Sequence, residues 1–332
     1  MSATLTFTTG MVFVDEQLFL AGAGDSLDPF APFTRIVEYN RSTPPNWWRH
    51  DQPWRASSIT YFGPKAEALD DAAVLSEEGH VRFLGDHEPL LEKIPGAGVH
   101  SDDATGLGYV SDLQQIGEHL YAAGFRGQVY KRMAPDHWVH VDAGILQAPN
   151  LRPGQYSIQV INGPHENAIY VAGCTHDPGY PVRASFWNGQ SWRDLELPEV
   201  TERITNLYIE SESRVWMCGA NGTLLLGNAD DGFRSLSSVD DNQLFLSICR
   251  YDDCIYLGSN LGLFVYDPAQ HALGIREVVT GLVPELQDAN IVDSVDQVLW
   301  SIGPKDIARF DGQRWERIHH PDNPPIGAVG KP

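Results

Sequence analysis

The chain has 332 residues, of which 42% are hydrophobic and 20% charged, so it can bury a large core and lacks the composition of a disordered protein. Asp and Glu number 44 and Lys and Arg 23, which gives a formal net charge of −21. This excess argues against nucleic acids and anionic membrane surfaces, which are bound through Lys and Arg. It favours a basic partner, because opposite charges speed association.

The start of the chain does not resemble a secretory signal. Residues 1–13 are Thr-rich and interrupted, and the first Lys or Arg is Arg35, whereas a signal needs a basic start and a continuous apolar run. No apolar run approaches the ~20 residues of a membrane helix. We therefore expect a cytoplasmic location. The cysteines are too few for a disulfide framework and are expected to be buried free thiols: Cys174, Cys218, Cys249 and Cys254.

An internal repeat starts with a short β-prone run that ends in glycine. Each copy reads as a strand running into a turn. The copies are Leu18-Phe-Leu-Ala-Gly22, Leu120-Tyr-Ala-Ala-Gly124, Ile169-Tyr-Val-Ala-Gly173, Val215-Trp-Met-Cys-Gly219, Ile255-Tyr-Leu-Gly258 and Val298-Leu-Trp-Ser-Ile-Gly303.

Most copies continue into another short run, a turn and then an aromatic residue. The aromatic positions are Trp48, Trp138, Trp192, Phe233 and Trp315, with Leu91 and Leu273 in two weaker copies. From Trp48 to Trp315 the six intervals average about 44 residues, the length of one propeller blade. In the third copy the four strands are predicted near Tyr109–Gln115, His119–Ala123, Gln128–Arg132 and Trp138–Asp142.

These patterns predict an all-β fold in which residues 1–332 form a single β-propeller of about seven four-stranded blades. The predicted blades are 1–53, 54–98, 99–144, 145–200, 201–241, 242–286 and 287–332. Six or eight blades remain alternatives, and so does a pair of β-sandwiches, which would not explain the regular spacing. The segment Ala3–Thr8 is either the first strand of the first blade or an extra strand on the last.

Two sequence segments resemble YVTN/BNR-like and two-component-regulator propeller repeats. They are Phe310-Asp-Gly-Gln-Arg-Trp315 and Val215-Trp-Met-Cys-Gly219-Ala-Asn-Gly222. The resemblance covers most of the chain and implies the propeller architecture without implying an activity. Asn228-Ala-Asp230-Asp-Gly232-Phe233 is similar to a shortened Asp-box turn, but the full sialidase-type motif is absent.

Five long connections are predicted to project from one face of the propeller: Gly24–Phe33, Pro95–Leu107, Ala143–Gln155, Cys174–Arg183 and Thr280–Ala289. The reason is that each of them follows the second or fourth strand of a blade. Loops held by a rigid scaffold are common binding sites, and aromatic and Arg side chains are common anchors. The predicted partner-binding residues on these loops are Phe30, Phe33, His100, Asp102, Asp103, Asn150, Arg152, His176, Asp177, Tyr180 and Leu282.

The sequence contains no strong catalytic motif. It lacks a Gly-x-Ser-x-Gly elbow, a His-Glu-x-x-His motif, a Cys-x-x-Cys motif and a phosphate loop. His100 with Asp102 and Asp103, and His176 with Asp177, could bind a divalent metal or act as acid and base if their loops converged. The adjacent His319 and His320 are expected on the surface. We predict no cofactor, no metal ligand set and no catalytic residue.

Two functions remain open at this level. The first is a non-enzymatic protein-interaction scaffold, monomeric on its own, that binds a basic protein through the loop-rich face. By analogy it would suit an immunity protein that neutralises a basic toxin. The alternative is a hydrolase or lyase that acts on a small polar substrate at the propeller axis, with or without the help of a metal ion.

Overall fold

The computed structural model describes residues 4–63, 71–85, 90–149, 153–198, 200 and 202–327. These residues form seven four-stranded antiparallel sheets, in each of which the strands are paired in chain order. This is the strand content of a seven-bladed β-propeller, so the predicted fold class and blade number are confirmed. The described part of the chain contains no helix long and apolar enough to cross a membrane.

Contacts divide the chain into two compact units. Unit 1 comprises Met1–Pro53 and Gln243–Pro332, and unit 2 comprises Trp54–Asn242. The organisation of residues 1–332 as a single domain stays a prediction.

Unit 1 contains the first, sixth and seventh sheets. The first sheet comprises β1 (Leu5–Val14), β2 (Gln17–Gly24), β3 (Thr34–Asn40) and β4 (Trp47–Gln52). The sixth comprises β21 (Phe245–Tyr251), β22 (Cys254–Ser259), β23 (Gly262–Tyr266) and β24 (Ile275–Glu277), with a short 3-10 helix (Pro268–Leu273) before β24. The seventh comprises β25 (Ile291–Val295), β26 (Val298–Ile302), β27 (Ile307–Phe310) and β28 (Trp315–Ile318).

Unit 2 contains the second to fifth sheets. The second comprises β5 (Ala56–Phe62), β6 (Asp71–Ser76), β7 (His80–Leu84) and β8 (Leu90–Lys93), and the third β9 (Val110–Ile116), β10 (His119–Gly124), β11 (Val129–Ala134) and β12 (His137–His140). The fourth comprises β13 (Tyr156–His165), β14 (Ala168–Thr175), β15 (Val182–Trp187) and β16 (Trp192–Asp194), and the fifth β17 (Ile204–Ser211), β18 (Arg214–Gly219), β19 (Leu224–Asn228) and β20 (Gly232–Ser235). The strands predicted for the third copy agree with β9–β12 to within about two residues.

The hydrophobic core consists of separate clusters, each between two neighbouring sheets. In unit 1 the side chains of Phe7, Leu18 and Trp300 pack together between the first and seventh sheets. In unit 2 the second sheet packs on the third, the third on the fourth and the fourth on the fifth. The strand β1 pairs with β2 and packs against the seventh sheet, so it is the first strand of the first sheet and not an added strand of the last.

The repeated glycine lies at or near the end of the second strand, where the first strand passes very close to it. A Cβ atom on Gly173 would lie 2.0 Å from the carbonyl oxygen of Ser157, and one on Gly124 would lie 2.3 Å from that of Tyr109. The first strand changes register at this point in both sheets. The same close approach to a carbonyl oxygen of the first strand occurs at Gly22 and Gly219. In these four sheets the glycine of the repeat therefore allows two strands to approach closely at a β-bulge.

A buried aspartate links the first strands of neighbouring sheets in each unit. In unit 2, the Oδ2 atom of Asp112 accepts the backbone N–H of Ile161 at 2.9 Å. In unit 1, the Oδ2 atom of Asp293 accepts the backbone N–H of Val12 at 3.0 Å. Burial raises the pKa of both carboxyl groups to about 6, although these hydrogen bonds oppose the shift.

The close approach at Gly173 predicts that Gly173→Ala destabilises the protein. The added methyl group overlaps the carbonyl oxygen of Ser157, and such overpacking typically costs about 1–3 kcal/mol. Thermal or denaturant unfolding measures the loss. The matched control is Gly281→Ala, where an added Cβ meets open space and only the positive φ is unfavourable. Equal losses in the two variants would contradict this account of the repeated glycine.

The buried Asp293 predicts a pH-dependent contribution to stability. The folded state binds this proton more tightly than the unfolded chain, so the contribution is present below about pH 4 and is lost as the pH rises through 6. Relative to Asp293→Asn, the wild type should lose about 2 kcal/mol of unfolding free energy between pH 4 and pH 7. Denaturant titrations of both proteins at each pH measure this, and Asp112→Asn provides the same test in unit 2. A constant difference across the range would contradict it.

Candidate functional site

The long connections leave their sheets at a common end. Because strands alternate in direction, the connections after the second and fourth strands of a sheet leave from the same end, here called the loop end. The turns between the first and second strands, and between the third and fourth, lie at the opposite end, here called the hairpin end. The strand order confirms that the five predicted long connections leave their own sheets at the loop end. The predicted binding role of their residues stays a prediction.

Five ring-bearing side chains form a continuous row at the loop end of the third and fourth sheets. Ring centroids are 6.4 Å apart between His100 and Tyr109, and 6.0 Å apart between Tyr109 and Phe125. They are 5.5 Å apart between Phe125 and His176, and 5.9 Å apart between His176 and Tyr180. We call these residues the aromatic row. It joins the predicted residues His100, His176 and Tyr180 into one surface.

The middle of the aromatic row is fixed by the backbone beneath it. Phe125 donates its N–H to the carbonyl of Tyr109 at 2.9 Å and forms a β-bridge with Ser157 of the fourth sheet. The buried amide of Gln128 donates to the carbonyls of Gly108 and Tyr109 at 3.1 and 2.9 Å. The rings at the centre are therefore held by the sheets, and the outer members His100 and Tyr180 lie on loops.

The loop that carries His100 is organised by a carboxylate from the second sheet. The Oε2 atom of Glu78 accepts the backbone N–H groups of Val99, His100 and Ser101 at 2.9, 3.0 and 3.2 Å. Burial and the nearby Glu78 and Glu77 carboxylates raise the pKa of Tyr109, so its hydroxyl stays protonated at neutral pH. That hydroxyl lies 3.4 Å from the Nε2 atom of His100.

The predicted aspartates of this surface have different surroundings. Asp103 accepts the N–H of Gly96 at 2.8 Å and lies 3.3 Å from the Lys93 ammonium, so it shapes its own loop. Asp177 accepts the hydroxyl of Thr175 at 2.9 Å, and its carbonyl accepts the N–H of Tyr180 at 2.9 Å. Asp102 is exposed.

The two histidine loops do not form a metal-ligand cluster in the structure. The rings of His100 and His176 are separated along the row by those of Tyr109 and Phe125. Nowhere in the described ranges do three or more His, Cys, Asp or Glu side chains group in a way that could hold a metal ion. Asn150 and Arg152 lie outside the described residues. His319 is exposed as expected, but the expected surface position of His320 is wrong: its side chain is buried and its ring packs against that of Phe7.

The remaining predicted residues belong to the loop end of unit 1. The side chain of Phe30 is 80% exposed, and that of Phe33 is partly buried. Leu282 packs against the apolar cluster between the sixth and seventh sheets, so it contributes to the core. Its neighbour Val283 is 89% exposed, so this loop presents an apolar side chain to solvent.

Sequence reasoning missed Tyr109 and Phe125, which form the centre of the aromatic row. Both directly flank β-strands: Tyr109 precedes β9 and Phe125 follows β10. For Phe125 the available signal was its position directly after the repeated Gly124, and for Tyr109 it was the position at the start of a predicted first strand, because a residue next to a strand end emerges at the same end as the adjoining loop.

Comparison with known proteins identifies a related sequence and supports the propeller fold. No family model matches the chain. The immune protein Tsi7 of Pseudomonas aeruginosa is 28% identical over 273 residues, which cover 80% of this chain and 80% of Tsi7. An immune protein is thus among the proteins to which this chain is similar.

The solved structures with similar folds have low sequence identity to this chain. The WD40 β-propeller domain of Doa1 has a TM-score of 0.61 at 10% identity and covers 93% of this chain and 94% of that domain. YCF48 from Cyanidioschyzon merolae has a TM-score of 0.59 at 12% identity, covering 96% and 97% of the two chains. Sqt1 from Chaetomium thermophilum has a TM-score of 0.60 at 11% identity, covering 96% and 84%. These similarities support the propeller fold, whereas the YVTN/BNR-like assignment stays a prediction.

The contacts of Glu78 predict that Glu78→Ala loosens the loop that carries His100. Three backbone N–H groups lose their acceptor, and a hydrogen bond to a charged group contributes about 1.5–3 kcal/mol. Hydrogen exchange at residues 99–101 should therefore become at least ~10-fold faster. Glu212→Ala, at the exposed hairpin end of the fifth sheet, is the control and should leave exchange at 99–101 unchanged. Unaltered protection in Glu78→Ala would contradict the assigned role.

Proposed function

We propose that this chain is an immunity-type protein: a non-enzymatic scaffold that binds a protein toxin through the loop ends of its sheets. The similarity to the immune protein Tsi7, over 80% of both chains, is the observation that carries this proposal. Similarity over most of both chains covers the scaffold as well as its loops.

The aromatic row supports a protein partner. Aromatic side chains are enriched in protein interfaces because they bury a large area at low cost in conformational entropy. Here the row combines the exposed rings of His100, His176 and Tyr180 with central rings that are held by two sheets. A row of rings that is fixed before binding loses little entropy on association.

The net charge of −21 supports a basic partner. Electrostatic attraction between an acidic immunity protein and a basic toxin would raise the association rate and would weaken as salt screens it. We further propose that the protein acts as a monomer in the cytoplasm. Its four cysteines are free thiols, which fits a reducing compartment.

Pull-down with the full chain from its native host tests the proposal. We expect one basic protein to be recovered in a stoichiometric amount and to be released as salt rises from about 50 to 500 mM. Deleting the gene should make the host sensitive to growth inhibition by wild-type siblings, and restoring it should remove that sensitivity. Repeated recovery of no partner, together with unimpaired growth of the deletion strain, would contradict the proposal.

The aromatic row predicts which variant weakens that binding. Tyr180→Ser removes a 56% exposed ring at the end of the row and should raise the Kd for the recovered partner at least ~10-fold. Calorimetric titration of the purified proteins measures the change. Met133→Ser, a 47% exposed apolar side chain at the hairpin end of the third sheet, is the matched control and should leave Kd unchanged. Equal effects of the two substitutions would contradict the assignment of binding to the loop end.

A further inference from the structure

We propose that Phe30, Val279 and Val283 are the apolar anchors of a second binding surface, at the loop end of unit 1, that a basic protein domain covers. The inference rests on the proposed function, since it takes the protein toxin as the occupant. It identifies the side chains through which unit 1 contributes to partner binding, in addition to the aromatic row of unit 2.

The three anchors are unusually exposed for apolar side chains. Phe30 is 80% exposed, Val279 is 81% exposed and Val283 is 89% exposed. Within the described ranges these are the most exposed large hydrophobic side chains of the chain. All three lie on connections at the loop end, Phe30 after β2 and the two valines after β24. Exposed apolar side chains grouped at one end of adjoining sheets are typical of an interaction surface.

A carboxylate is fixed beside the anchors in both loops. The Oδ1 atom of Asp28 accepts the N–H of Phe30 at 2.7 Å. In the other loop, Glu285 accepts the N–H groups of Thr280 and Gly281, which lie between Val279 and Val283 in sequence, at 3.1 and 3.0 Å. Each loop therefore presents an apolar side chain and a negative charge together, in a conformation held by hydrogen bonds.

A chain of ion pairs and hydrogen bonds connects the two anchor loops. Asp25, on the loop of Phe30, pairs with Lys305 between β26 and β27. The next residue, Asp306, binds Arg317 through two hydrogen bonds at 2.7 and 2.8 Å. Arg317 also donates to the carbonyls of Val283 and Pro284 at 3.4 and 2.9 Å. The two loops thus belong to one connected surface.

The charge of this surface indicates what binds it. Its segments are 25–33, 260–261, 278–290, 303–306 and 319–327, and within them the only Lys or Arg is Lys305. The carboxylates in the same segments are Asp25, Asp28, Glu285, Asp288, Asp306 and Asp322. The basic side chains that reach this surface from strands, Arg35 and Arg317, are paired with Asp322 and Asp306. The surface therefore keeps a net negative charge after pairing.

An apolar anchor beside a fixed carboxylate is complementary to an apolar pocket bordered by Lys or Arg. A second copy of this acidic chain would place carboxylates against carboxylates, which is unfavourable. An anionic lipid surface would be repelled for the same reason. A basic protein domain is the occupant that satisfies both the apolar and the charged parts of the surface.

Site-specific photocrosslinking in the native host tests the inference. The photoreactive residue p-benzoylphenylalanine replaces Phe30 or Val283 in the full chain, and Leu273, a 55% exposed side chain at the hairpin end of the sixth sheet, in the control. We expect crosslinks from positions 30 and 283, but not from 273, to the same basic protein that the wild-type chain recovers, identified by mass spectrometry.

Binding measurements on the purified pair provide the second readout. The combined variant Phe30→Ser with Val283→Ser should raise Kd at least ~100-fold, whereas Leu273→Ser should leave it within about 3-fold. The substituted side chains are exposed, so the circular dichroism spectrum and Tm of the variants should match those of the wild type.

Each remaining outcome decides between this inference and the proposed function. Recovery of a partner without crosslinks at 30 and 283, or with unchanged Kd in the combined variant, would overturn the inference and leave the proposed function standing. Crosslinks to a second copy, with a dimeric mass in solution, would also overturn it. Recovery of no partner by either method would overturn both.

Discussion

Each sheet of this protein is apolar on both faces, and the rest of the structure depends on covering those faces. A four-stranded sheet exposed on either face would leave a large apolar area in water, so it becomes stable only against a neighbour. The buried rings of Trp216 and Trp300 lie within such sheets, where they are fully removed from solvent. The small residues and the glycine at the end of the second strand serve the same packing, because they let backbones approach closely.

Polar groups inside these interfaces restrict how neighbouring sheets can pack. Apolar contacts alone would allow neighbouring sheets to slide past one another. A buried hydrogen bond between two sheets forms at only one relative position, because leaving its polar groups unpaired is costly. Asp112 and Asp293 impose such a constraint on the first strands of their neighbours. Glu92, which is 1% exposed, imposes another: it binds Arg132 at 2.6 Å and the indole N–H of Trp138 at 3.0 Å, from the second sheet to the third.

Because packing restricts the side chains of the strands, the residues at the loop ends are the ones whose side-chain types can differ from sheet to sheet. The two units use this freedom differently. Unit 2 presents a row of rings whose centre is anchored by β9, β10 and β13. Unit 1 presents Phe30 and Val283, which project from loops that ion pairs and carboxylates hold in place. Both surfaces bring together residues that are far apart in the sequence and lie on or beside the connections between strands, which are the part of the structure least constrained by the repeat.

The sequence alone determined the kind of sheet, because the glycine and the aromatic residue recur at the spacing of a repeated four-stranded unit. It gave the number as about seven and left six or eight as alternatives, and the structure decided for seven. The sequence also determined which connections leave at the loop end, since that follows from strand order. The tertiary structure decided which side chains meet there. Phe125 and His176 are 51 positions apart in the printed sequence, and their rings touch only because the third sheet packs against the fourth. It likewise decided that Leu282 is partly buried and Val283 exposed, since burial depends on the neighbouring sheet and not on the residue type.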